Sequence, residues 1–188
     1  MSLELVKESI RVNRVIGEET TQTIVENDII VPDTKPDILR VMFVDGEVFI
    51  TGTEVHQDRV IASGTTHFKI LYISDEEGQR LKSIDASTNF SHGLDIANAR
   101  QGMACRVSCD IEHIDYEIIN ARKINIKTIL NLRGKVVNEL EQQIVYDISG
   151  VRDVQILRDR YTVSSCTGSN DTAVTISESM DIPLGKPT

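Results

Sequence analysis

Alternation of apolar and polar side chains, with a period of two, runs through most of this chain and constrains its fold more than any other feature. Successive side chains of a strand point to opposite faces, so strict alternation marks a strand with one face buried. Over residues 58–73, Val60, Ala62, Gly64, Phe68, Ile70 and Tyr72 fall on one side, and Thr65, His67 and Lys69 on the other. Over 122–136 the pattern is cleaner: Ile124, Ile126, Leu130, Leu132 and Val136 face in, while Asn125, Lys127, Asn131, Arg133 and Lys135 face out. Turn-forming clusters separate the runs, at Asp75-Glu76-Glu77-Gly78, Asn98-Ala99-Arg100-Gln101-Gly102 and Gly168-Ser169-Asn170-Asp171. Only 36–42 and 94–100 could form helical turns. The expectation is an all-β protein, an antiparallel β-sandwich or barrel-like fold of about ten strands. Asp45-Gly46 reads two ways: as a hairpin turn between apolar runs, or as a bulge in one long strand, with Gly at positive φ.

The available core chemistry agrees. The 188 residues are 40% hydrophobic but only 4% aromatic, with no Trp, so the interior must be built from Ile, Val and Leu. Branched side chains of this kind favour a pleated surface. A net charge of −9 argues against binding a phosphate backbone, which requires Lys and Arg to displace counterions. No nucleic-acid partner is expected. The opening residues Met1-Ser2-Leu3-Glu4-Leu5-Val6-Lys7-Glu8 are charged from the start, unlike a secretory leader. No stretch approaches the roughly 20 apolar residues that cross a bilayer as a helix. No membrane span is expected, and the chain reads as made in a cytoplasm.

The two ends share a pattern. A gapless offset of 151 residues places Pro32 on Pro183, Lys35 on Lys186 and Pro36 on Pro187. It also places Val12 on Val163, Gly17 on Gly168 and Thr21 on Thr172, and Leu5-Val6-Lys7-Glu8 on Ile156-Leu157-Arg158-Asp159. Apolar, basic and acidic characters are all kept. The repeated unit reads as strand, Gly turn, second strand, then Pro-x-x-Lys-Pro, so similar hairpins are expected at both ends. Residues 1–150 are expected to form a β domain, with 1–100 and 101–150 as its alternative sub-units. Residues 151–188 would be the repeated hairpin, pairing back on the domain or with a neighbouring chain. A weaker likeness relates Glu47–Ile73 to Arg106–Val136 in strand length and turn placement.

Groups able to do chemistry do not converge in the sequence. An odd number of cysteines, Cys105, Cys109 and Cys166, argues against a disulfide framework. Cys105 and Cys109 share an apolar strand face with Met103, Val107 and Ile111; four residues along a strand is roughly 13 Å, too far for one ion or one disulfide. They read as core residues, with Cys166, beside a Gly-Ser-Asn turn, the candidate for an intermolecular crosslink. His56, His67, His92 and His113 form no zinc-type pair, and His113 is expected to continue the apolar face of the Cys105 strand. Nucleophile elbow, phosphate loop and dinucleotide fingerprint are all missing. The chain therefore reads as no enzyme and as using no cofactor. Pro32-Asp33-Thr34-Lys35-Pro36-Asp37 stands out instead, because two prolines four apart hold Val31 and Lys35 extended and remove two amide donors. It reads as a stiff corner or as an exposed docking edge. Pro32, Asp33, Lys35, Pro36, Asp37, Gly168, Pro183, Lys186 and Pro187 are the candidate interaction residues.

The run Ile29-Ile30-Val31-Pro32-Asp33-Thr34-Lys35-Pro36-Asp37-Ile38-Leu39-Arg40-Val41, followed by Val44-Asp45-Gly46-Glu47-Val48-Phe49-Ile50-Thr51-Gly52, resembles the SPOCS-domain family. The likeness continues through Arg122-Lys123-Ile124-Asn125-Ile126-Lys127 and Tyr146-Asp147-Ile148. This family includes SipL-like spore-coat assembly proteins of clostridia and other endospore formers. The resemblance implies a structural role in the endospore envelope: coat, exosporium or appendage. The protein would act by contacts with itself and with other envelope proteins, assembling into filaments or layers. It implies a mother-cell cytoplasmic origin, an end point in the coat or outer spore surface, and the basal-layer coat ATPase as a partner. The LysM module associated with binding that ATPase is missing here, so the chain reads as a fragment or as a stand-alone member. A different expectation is a glycan-binding β module of the cortex or envelope, for which Tyr72, Tyr116 and Tyr146 would have to cluster on the surface.

Overall fold

The computed structural model describes residues 4–78 and 80–150 and, beyond them, 155–157, 159, 160, 162, 170, 172, 174 and 176–178. Alternation translates into six strands: β1 (Glu4–Ile30), β2 (Ile38–His56), β3 (Arg59–Ser74), β4 (Leu81–Leu94), β5 (Ala104–Asn120) and β6 (Lys123–Ser149). They form two antiparallel three-stranded sheets, ordered β1-β6-β5 and β2-β3-β4, and the described residues contain no helix. The described residues are all-β as expected, and six strands account for them up to Ser149.

Among the described residues, some places read as turns lie inside long strands. β1 runs unbroken through Gly17, so the N-terminal unit is a single strand and no hairpin. The glycine sits at a register shift between Val15 and Gly17, where a Cβ would stand 2.8 Å from Ile96 Cγ2. β2 likewise runs straight through Asp45-Gly46 with no register shift there, so neither a hairpin nor a bulge is present. Gly46 serves a close approach: its Cβ would lie 2.8 Å from Ile114 Cδ1 and 3.1 Å from Ile111 Cδ1, both on β5. Residues 36–42 are not helical either. Ile38 and Val41 are both buried at a helix-like spacing of three, but the shifts at Ile38/Arg40 and Val41/Phe43 produce that spacing within a strand. Residues 95–100 form an irregular connection, also without a helix.

The central strands β3 and β6 carry the buried faces. Val60, Ala62, Phe68, Ile70 and Tyr72 point inward from β3, and Ile124, Ile126, Leu130, Leu132 and Val136 from β6, as their alternation requires. Each face also contains a buried threonine, Thr66 and Thr128, whose hydroxyl has no hydrogen-bond partner. Both core clusters draw on both sheets. One joins Val25, Phe90 and Leu94 to Leu130 and Leu132, and the other joins Ile29, Val31 and Ile38 to Ile70, Tyr72 and Ile126. His113 leaves the apolar face on which it was expected. A register shift between Ile111 and His113 turns Ile114 inward and His113 out.

Two hairpins carry the weak internal likeness. β2 and β3 meet at Gln57-Asp58, with Asp58 at φ 58°, and β5 and β6 meet at Ala121-Arg122. β4 then occupies the remaining edge of β3. The corresponding edge of β6 belongs to β1. Pairing of β5 with β6 starts at Ala104↔Val137, whereas β1 and β6 remain paired out to Glu4↔Ser149. Residues 4–14 and 138–149 thus form a two-stranded ribbon past the end of β5, roughly 40 Å long at strand rise.

Candidate functional site: the proline corner

The chain crosses from the first sheet to the second between Val31 and Asp37, and this crossing is the most heavily tethered connection of the fold. Its tip is a turn closed by the Lys35 amide donating to Pro32 O (2.9 Å). The flanking amides are also satisfied: Val31 N donates to Arg122 O (2.9 Å) and Ile38 N to Ala121 O (2.8 Å). Both acceptors lie in the β5–β6 turn. The two prolines offer no donor, so none is left to satisfy at their positions.

Arg122 anchors the corner. Its guanidinium donates to Asp37 Oδ1 (2.7 Å), Val31 O (3.1 Å), Asp33 Oδ1 (3.2 Å) and Lys35 O (3.4 Å). A planar fork with several donors suits this task, which a lysine's compact ammonium could not reproduce. The hydrogen bond to Asp37 is the chief reason the guanidinium is held even more firmly in its charged form. Two more ties come from the second sheet. Lys35 Nζ donates to Ser83 O, and the hydroxyl of Tyr72, a fully buried side chain, donates to Pro36 O (3.0 Å).

Pro32, Asp33, Lys35, Pro36 and Asp37 all lie in this tethered corner. Pro32, Asp33 and Thr34 are exposed at the tip, while Lys35, Pro36 and Asp37 are half-buried. Arg122, Ser83 and Tyr72 were missed as their partners. The available signal was Arg122, which stands in a turn at the start of one of the family-like runs. Gly168, Pro183, Lys186, Pro187 and Cys166 lie outside the described residues.

The other candidate groups stay apart. Cys105 and Cys109 are half-buried against the core on the inward side of β5, opposite Val136 and Leu132. Burial raises both thiols, Cys109 to about 11, so they are neutral and poorly nucleophilic at ordinary pH. Among the described residues, no group of three or more His, Cys, Asp or Glu comes together to hold a metal ion. No helix among them is long and apolar enough to cross a membrane. Tyr72 is buried, whereas Tyr116 and Tyr146 are exposed, so the three tyrosines do not form a surface cluster.

The geometry defines an all-β protein of two three-stranded antiparallel sheets, pinned where the chain passes between them by an arginine–proline corner. Residues 37–119 match the family model described as SipL, SPOCS domain, the family that the sequence resembles. The match begins at Asp37 in the corner and ends within β5, so it covers less than half of the chain. No curated protein matches the chain, and no solved structure matches it.

Proposed function

We propose that the protein is a structural component of the bacterial endospore envelope, acting through protein–protein contacts rather than by catalysis. The match to the SPOCS family over residues 37–119 supports the sporulation setting. The observation that carries the contact reading is the β1–β6 ribbon. It lacks a third strand among the described residues, so its edges are open to β-addition. Leu5, Ile144, Val145 and Tyr146 are exposed along it. Apolar side chains grouped beside open edges are what a joining surface requires. On this reading the chain is made in the mother-cell cytoplasm and ends in the coat or outer spore surface. Its partners are further copies and other envelope proteins, including the basal-layer coat ATPase.

Light scattering and negative-stain microscopy over a wide concentration range test the reading. Expected are concentration-dependent multimers or filaments that revert toward monomer in Val145→Lys and Tyr146→Lys. Both side chains are exposed, so these variants should keep the wild-type circular dichroism spectrum. Wild-type protein that remains monomeric at every concentration would sink the proposal.

A further inference from the structure

The seat of β1 on β6 is defined by inward side chains: Val6, Ile10 and Val12 along the ribbon, and Val25 and Ile29 in the core, with Val31 following in the corner. At an offset of 151 the chain carries Leu157, Tyr161, Val163, Ile176, Met180 and Ile182. All six are apolar or aromatic, whereas Ile16, which also packs against the core, has Thr167 as its counterpart. Gly17, whose Cβ would meet Ile96, has its counterpart in Gly168. Ile24 and Ile30, both exposed on the outer face of β1, are replaced by Thr175 and Asp181. The later segment thus keeps most of the apolar inward face that the seat requires and has a more polar outer face than β1 itself.

Position points the same way. β6 ends at Ser149, and Gly150 follows it with φ 80°. Ile156, Leu157, Asp159 and Arg160 line an open hollow of about 880 Å³ together with Ile10 and residues 144–148 of β6. In the register of β1, Leu5 faces Ile148 and Val6 faces Asp147. The offset assigns those same partners to Ile156 and Leu157, which line the same hollow. Leu157, Val174 and Ile176, inward-type residues by this register, are 94%, 78% and 87% exposed, so they are apolar surface still without a seat. The other sheet supplies the topology, since β4 returns by a short turn onto the free edge of β3. The same step after Gly150 leads to the edge that β1 occupies.

We propose that the place beside β6 is shared, and that residues 155–182 turn back at Gly150 and take it in exchange for β1 of the same chain. The exchange releases Glu4–Ile30 as an unpaired strand. It does not depend on the assembly reading, because a monomer can undergo it.

The register supplies the test. Val15 lies opposite Val137, and the offset puts Cys166 where Val15 stands. Directly opposed Cα atoms lie about 4.5–5.5 Å apart, within disulfide reach. The full chain carrying Cys105→Ser, Cys109→Ser and Val137→Cys is oxidised, and its linkages are mapped by mass spectrometry. The expected result is a bond between Cys166 and the thiol at position 137 within one chain. Gly168→Val should abolish that bond, and Gly17→Val should increase its yield. As the control, Val15→Cys with Val137→Cys and Cys166→Ser reports that the folded β1–β6 pair oxidises. A control that links readily while Cys166 stays free would overturn the exchange, as would a bond to position 137 found only between chains.

Discussion

Arg122 is a single side chain on which two turns and two sheets depend, and its replacement separates charge from geometry. Arg122→Lys keeps the charge but cannot reach two carbonyls and two carboxylates at once. It should lower the melting temperature nearly as far as Arg122→Ala; if Lys restored wild-type stability, the fork geometry would not matter. The buried hydroxyls of Thr66 and Thr128 act in the opposite sense. Each is fully buried without a partner, and an unmet buried hydroxyl costs on the order of 1–3 kcal/mol. Thr66→Val and Thr128→Val should therefore each raise the unfolding free energy in urea by about 1 kcal/mol. The corner's prolines were legible in the sequence because proline chemistry is local. The residues that bind it were not, because Arg122, Ser83 and Tyr72 are remote in the chain and their polar groups meet it only after folding.

At the scale of the element, alternation located the strands well but not their lengths. Val60 to Tyr72 and Ile124 to Val136 lie on the faces expected, because central strands packed on one side obey period two without interruption. β1, β2 and β5 contain register shifts, and each shift breaks the period. That is why Ile38 and Val41 imitated a helix and His113 looked apolar. Glycine was the second source of error. Gly17 and Gly46 looked like turn residues, but Gly17 makes room for Ile96 of the 95–100 connection and Gly46 for β5 of the facing sheet. Two interior glycines should respond differently to alanine. A Cβ at Gly64 would stand 2.5 Å from the backbone oxygen of Phe49 and 2.5 Å from Phe90 Cζ, so Gly64→Ala should cost about 1–3 kcal/mol. At Gly46 the nearest atoms are the tips of Ile114 and Ile111, which can rotate away. Gly46→Ala should cost clearly less, and chemical denaturation of the two variants side by side checks the order.

For the whole molecule, polar ties reinforce strand pairing and the connections, beside the core. Asp28 accepts from Lys123 Nζ and from Asn125, and those bonds, with that to Lys123 the larger, hold its carboxyl below the ordinary range. Asp58 accepts from Gln57 and from the Asn98 amide (2.7 Å), tying the β2–β3 turn to the 95–100 connection, and its carboxyl is likewise depressed. Depressed carboxylates contribute stability above the unfolded value of about 3.9 and lose it as pH falls through the folded value. Melting temperature should thus change little on this account from pH 7 to about 5 and fall below about 4. A maximum at pH 3 would contradict the assignment. The sheet pairing itself was not legible beforehand, because period two gives a strand's faces and says nothing of its neighbours.

The ribbon also has a mechanical consequence. Glu4 and Ser149 are directly opposed at its tip, so a pull applied to these two residues acts across the strands rather than along them. Antiparallel strands loaded in this way open one pair at a time, as a zipper does. The same twenty-six residue pairs, loaded between Ile30 and Ser149, would have to slip together in shear. The direction in which the tip is loaded therefore decides whether β1 peels or holds.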